Sequence, residues 1–146
     1  MDNYDKWMVT GASLGATHAA NLIFRFPTQF DTLLALSGIY DTELFYGDYH
    51  DENTYHNNPC AYMKNMSLDH PYMELYKQSK LIFCVGQGNW EQECVESLRQ
   101  FSSILYDQQI ELGVISGVMM CIMTGLGGRY NYSILWNKYL RKYDKY

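Results

Sequence analysis

A short apolar run, Trp7-Met8-Val9-Thr10, ends in Gly11-Ala12-Ser13-Leu14-Gly15, and an Ala-rich, helix-like segment through Asn21 follows at once. Strand, tight turn and helix in that order, with Gly-x-Ser-x-Gly at the turn, are the signature of a nucleophile elbow. The spacing has a steric cause. A serine on so sharp a turn needs neighbours two before and two after that lack bulk, and Gly11 and Gly15 supply them. Ala16, Ala19 and Ala20 would let the helix lie close to the strand. Such a turn points the Ser13 hydroxyl at the positive end of the helix, where a developing oxyanion is favoured. The competing reading is a glycine-rich turn with an inert serine. The apolar strand before it and Phe26-Pro27 closing the helix favour the elbow.

The rest of the chain repeats this alternation. Thr32-Leu33-Leu34-Ala35-Leu36-Ser37 is nearly continuous in apolar residues and ends at Gly38, which predicts a strand over 32–37 buried on both faces. Strand, helix and strand within this span make a right-handed βαβ unit. Leu81-Ile82-Phe83-Cys84-Val85-Gly86 predicts a third strand over 81–86. A helix over 90–106 follows, with an apolar stripe of Trp90, Cys94, Leu98, Phe101 and Leu105 at helical spacing. Glu91, Glu93 and Glu96 lie in its first turns, where the helix dipole favours negative charge.

Between these strands, residues 40–80 show neither period and interleave tyrosines with Asp, Asn and His. They read either as a substrate-binding cap or as an irregular excursion whose aromatics cover the sheet edge. From about Gly113 the tail is rich in Met and Gly and has no clean period.

Composition excludes several classes. The 146 residues suffice for one domain with a real core, and the 47% apolar content is that of a globular protein. A net charge of −5 without a Lys/Arg cluster argues against a nucleic-acid partner. No apolar run approaches a membrane span and no signal peptide is evident, so the expected compartment is the cytoplasm. Cys60, Cys84, Cys94 and Cys121 lack metal-ligand or disulfide spacing; no metal or cofactor is expected. Gly11-x-Ser-x-Gly-x-x-His also lacks the dinucleotide-binding G-x-G-x-x-G spacing.

From Gly11 to about Ile110 the chain resembles the esterase family of the α/β-hydrolase superfamily related to esterase D and feruloyl esterases. The pieces carrying the resemblance are Gly11 through Asn21, Leu36-Ser-Gly-Ile-Tyr-Asp41, Phe45-Tyr-Gly-Asp-Tyr49, Asp69-His-Pro-Tyr72 and Gly86-Gln-Gly-Asn-Trp-Glu91. The resemblance implies a partial α/β-hydrolase fold over 1–146, with parallel strands, flanking helices and a Tyr-rich insert at 40–80. It implies an ester hydrolase acting on a small-molecule ester through a Ser-acid-His triad in that chain order.

Ser13 takes the nucleophile's place in that motif, and the Leu14 N–H that of one oxyanion donor. The second donor of the family comes from a loop before the nucleophile strand, and that strand usually sits mid-sheet. Either the chain is a fragment or the fold is unusually small; a fragment would leave its first strand an open edge, through which a homo-oligomer could form. The acid falls at Glu91, with Glu93 and Asp41 as alternatives; read alone, Glu91 is equally a charge at a helix N-terminus.

The histidine does not fit. His18, His50, His56 and His70 all precede the acid position, whereas the family's catalytic histidine lies near the C-terminus in a segment reading about D-F-W-G-Y-D-V-x-H-D-W. Codons compatible with residues 114–132, read two bases later, yield a segment of this kind. Met119-Met120-Cys121 forces Asp-Val, Ile122-Met123 written ATC-ATG supplies a histidine, and the base after it forces Asp. The tail at 112–146 therefore reads as out of frame, from a shift near Leu112, and as poorly packed around Met119, Met120 and Met123. A genuine divergent strand and helix is the alternative. The competing functional reading is an impaired hydrolase remnant or binding protein without a general base.

Overall fold

The computed structural model describes residues 5–86, 88 and 91–116. Four strands, β1 (Trp7–Ala12), β2 (Phe30–Leu36), β3 (Lys80–Val85) and β4 (Gly113–Ser116), form one parallel sheet in the order β1-β2-β3-β4. α1 (Leu14–Arg25) joins the first pair and α6 (Gln92–Asp107) the last. Between β2 and β3 the chain forms α2 (Glu43–Tyr46), α3 (Glu52–His56), α4 (Pro59–Asn65) and α5 (Tyr72–Gln78). The three strands expected from the apolar runs are present and parallel, with β2 starting two residues earlier than its run and β1 extending through the turn glycine.

The continuous apolar character of β2 and β3 has the expected cause. Leu33, Ala35, Leu81, Phe83 and Val85 point into the main core, while Leu34, Leu36, Ile82 and Cys84 form a second buried cluster. With side chains alternating across a strand, two such clusters mean both faces are covered. In the main core the Phe101 ring lies edge-on to Phe24 at 5.3 Å and stacks on Tyr40 at 5.2 Å. Burying a ring of this size contributes roughly 2 kcal/mol. Leu98, Phe101 and Leu105 are buried as the helical spacing predicts, and Cys94 is half-buried. Trp90, which heads that stripe, lies outside the described residues.

Residues 40–80 divide in two. Tyr40, Tyr62, Met63, Met73 and Tyr76 are buried in the main core. The Tyr76 hydroxyl donates to the Phe24 carbonyl at 2.5 Å, and the Tyr62 hydroxyl to Asn21 Oδ1 at 3.0 Å. These bonds tie α4 and α5 to α1. Phe45, Tyr46, Tyr49 and Tyr55, on and around α2 and α3, are exposed instead.

Among the described residues β1 has one neighbour, β2, and its other edge is open, with Trp7 72% and Met8 41% exposed. β4 answers no clear signal in the sequence. It pairs with β3 in parallel register, Ile82 opposite Gly113 and Val85 opposite Ser116. The segment read as out of frame therefore begins by supplying a strand. Its remainder, from Gly117 and including Met119, Met120 and Met123, lies outside the described residues.

Candidate active site

Ser13 lies at the C-terminal end of β1, immediately before α1. Its amide still follows the sheet ladder, donating to the Leu36 carbonyl at 2.8 Å. There the backbone turns abruptly, with φ 53° and ψ −125°. A non-glycine residue at positive φ is strained, and this ψ lies outside the small left-handed helical well. The hydroxyl does not cap α1, and no described side chain hydrogen-bonds to it. The Ser13 carbonyl accepts from Ala16 N and Thr17 N. The Leu14 N–H meets no acceptor among the described residues, as the open first turn of a helix provides.

Gly11 is required by this turn. A Cβ there would overlap the Gly15 carbonyl, so the first turn of α1 rests directly on β1. Gly15 differs from the expectation: a Cβ on it would meet nothing within 4 Å. The bulk restriction therefore acts on one side of the serine. Ala16, Ala19 and Ala20 are buried where the helix crosses the sheet.

Glu91, the N-cap residue of α6, does not cap the helix with its side chain. Its carboxylate turns back to the end of β3, where Oε1 accepts from the Gly86 N–H at 3.1 Å and Oε2 from the Gly88 N–H at 3.1 Å. Oε1 also accepts from the Ser37 hydroxyl at 2.6 Å. Burial works to raise this carboxyl, but the Ser37 hydroxyl and the Gly88 and Gly86 amides outweigh it and hold the group below its ordinary value.

The other acid candidates are elsewhere. Glu93 is exposed on the first turn of α6. Asp41 is engaged in its loop, accepting from Glu43 N, Asn58 Nδ2 and Gln100 Nε2. Ser13, Ser37 and the Glu91 cradle thus follow the C-terminal ends of three adjacent parallel strands, the end at which open α/β sheets bind ligands.

None of the four histidines hydrogen-bonds to Ser13 or Glu91. His18 and His50 are exposed. His56 Nε2 lies 3.7 Å from Glu52 Oε1, and His70 Nδ1 accepts the Tyr72 amide at 3.1 Å. Among the described residues, no group of three or more His, Cys, Asp or Glu side chains could hold a metal ion, and no helix is long and apolar enough to cross a membrane.

Two contributors were not recognised from the sequence. Ser37, at φ 50°, shapes the carboxylate site; the signal was a serine-glycine pair at the end of a buried strand. Ser97 Oγ accepts the buried Tyr40 amide at 2.7 Å and so fixes the loop after β2. Its signal was one polar residue within the apolar stripe of α6.

No protein family and no curated protein matches the sequence. Solved structures do match. A ferulic acid esterase aligns with a TM-score of 0.58 at 13% identity, over 74% of this chain and 43% of the other. FphF, a fluorophosphonate-binding serine hydrolase of Staphylococcus aureus, aligns with a TM-score of 0.55 at 14% identity, over 93% of this chain and 51% of its own. The S-formylglutathione hydrolase FrmB of the same organism gives 0.52 at 14% identity, over 93% and 48%. The chain has an α/β-hydrolase fold in part. It spans about half the length of these three solved structures.

Proposed function

We propose that this chain carries the nucleophile and acid of a serine ester hydrolase acting on small-molecule esters. The observation that supports the reading most is Ser13: a strained, uncapped serine between the sheet end and an open helix N-terminus. In the proposed reaction, Ser13 Oγ attacks the ester carbonyl and a histidine takes its proton. The Leu14 N–H helps hold the oxyanion. The alcohol departs with that proton, and water then releases the acid from the acyl-serine. Glu91 would hold the imidazole in the tautomer and orientation that the serine requires.

A second reading is favoured by the histidines, none of which hydrogen-bonds to Ser13: an impaired hydrolase remnant or a binding protein. We reconcile the two by assigning the base to the alternative frame of the tail, where Ile122-Met123, written ATC-ATG, would encode a histidine. The proposed out-of-frame tail runs over 112–146, from a shift near Leu112. The open edge of β1 is where a further strand or a second copy would add to the sheet.

Treatment with an aryl fluorophosphonate, followed by mass spectrometry of the digest, tests the nucleophile. With the tail written in the alternative frame, which supplies the base, modification is expected at Ser13, ahead of every other serine, and lost in Ser13→Ala. Equal modification of several serines would overturn the assignment.

A further inference from the structure

We propose that Ser37 is a positioning residue whose hydroxyl, with the Gly86 and Gly88 amides, holds the Glu91 carboxylate in one orientation at the end of the sheet. The inference deepens the hydrolase reading, and its catalytic meaning rests on it. Three donors arrive from two strand ends: Ser37 Oγ at 2.6 Å and Gly86 N at 3.1 Å on Oε1, and Gly88 N at 3.1 Å on Oε2. A carboxylate offers about four acceptor positions, so the cradle fills three and Oε2 retains capacity for one more N–H donor. An imidazole N–H is the donor the proposed reaction requires there.

The donors are themselves fixed. Ser37 N donates to the Cys84 carbonyl at 2.7 Å, and its own carbonyl accepts from Cys94 Sγ at 3.4 Å. Every polar group of Ser37 is thereby engaged, while its backbone sits at φ 50°, where side chains other than glycine's are strained. Such a conformation persists only when its surroundings over-determine it. Gly86 is equally constrained, since a Cβ there would overlap the Glu91 carboxylate. A surface carboxylate that only balanced the dipole of α6 would require neither arrangement; Glu93, two residues further on in the first turn of α6, has neither.

Two substitutions separate positioning from simple structural support. Ser37→Gly removes the hydroxyl and relieves the positive φ. Ser37→Thr keeps a hydroxyl but places a β-branched residue at that φ. The carboxyl of Glu91 is followed in the full chain by carbon-detected NMR titration, assigned with Glu91→Gln, beside the thermal midpoint. Ser37→Gly should keep or raise the midpoint while the Glu91 titration moves up toward that of an ordinary carboxylate. Ser37→Thr should lower the midpoint and leave the titration near that of the parent. A structural role alone would move the two together.

Unchanged titration of Glu91 in folded Ser37→Gly overturns the proposal, and that comparison decides even if Ser37→Thr does not fold. Fluorophosphonate labelling of the same variants with the tail written in the alternative frame reads the underlying assignment independently. Unlabelled Ser13 with a shifted Glu91 would remove the hydrolase reading and leave the cradle standing.

Discussion

Ser13 and Ser37 leave adjacent parallel strands in the same way. The Ser13 amide donates to Leu36 O at 2.8 Å and the Ser37 amide to Cys84 O at 2.7 Å, each extending the ladder by one bond past the strand. Each then turns at φ 53° and 50°, respectively. The two hydroxyls diverge in use: that of Ser37 is spent on Glu91, and that of Ser13 is bonded to no described side chain.

The strain at Ser13 predicts a trade between stability and reactivity. Ser13→Gly should stabilise the chain by about 1 kcal/mol in urea unfolding, because glycine adopts positive φ without the steric cost. Ser13→Ala should show no such gain, and neither variant should react with a fluorophosphonate. Equal stability of the glycine and alanine variants would contradict the strain.

The two glycines of the motif should behave oppositely. Gly11→Ala forces a methyl group into the Gly15 carbonyl and should cost about 3 kcal/mol. Gly15→Ala meets no atom and should stabilise by about 0.5 kcal/mol through the unfolded chain. Thermal or urea unfolding of both variants checks the pair.

Ser97→Ala should destabilise by about 1–3 kcal/mol, since it leaves the buried Tyr40 amide without its acceptor. Ser97→Thr keeps the oxygen and should recover part of the loss. An alanine variant as stable as the parent would remove Ser97 from the support of the loop.

The parts of this molecule legible in the sequence are those with short-range causes. Continuous apolar runs predicted β2 and β3, and Gly11-x-Ser13 predicted the turn, because burial on two faces and a sharp turn each restrict neighbouring residues. Ser37 escaped notice because its partner lies 54 positions away. Ser97 escaped for the same reason, with 57 positions to Tyr40. β4 is four residues long, too short to show a period against the Met- and Gly-rich tail. Gly15 was over-read: the motif names two glycines, but only the Gly11 side meets backbone.

The Glu91 cradle predicts a pH dependence. Its folded-state pKa is held below the ordinary value, so the carboxylate stabilises the fold in full above the ordinary carboxylate range, roughly pH 4. That contribution is lost as pH falls through the lower folded value. The stability difference between the parent and Glu91→Gln should be widest near neutrality and narrow on acidification. A difference independent of pH between 7 and 3 would contradict the cradle.

The central claim is that Ser13 is a nucleophile whose general base is not among the histidines of this reading frame. Its most direct test is kcat/KM for 4-nitrophenyl acetate with the chain as it stands and with the tail from Leu112 rewritten in the alternative frame. Each is measured with and without Ser13→Ala. A general base contributes about a hundredfold to ten-thousandfold. The rewritten tail should raise the Ser13-dependent rate by a factor in that range, and Ser13→Ala should abolish the gain. Equal rates for the two tails, or full turnover by the present chain that Ser13→Ala removes, would contradict the claim.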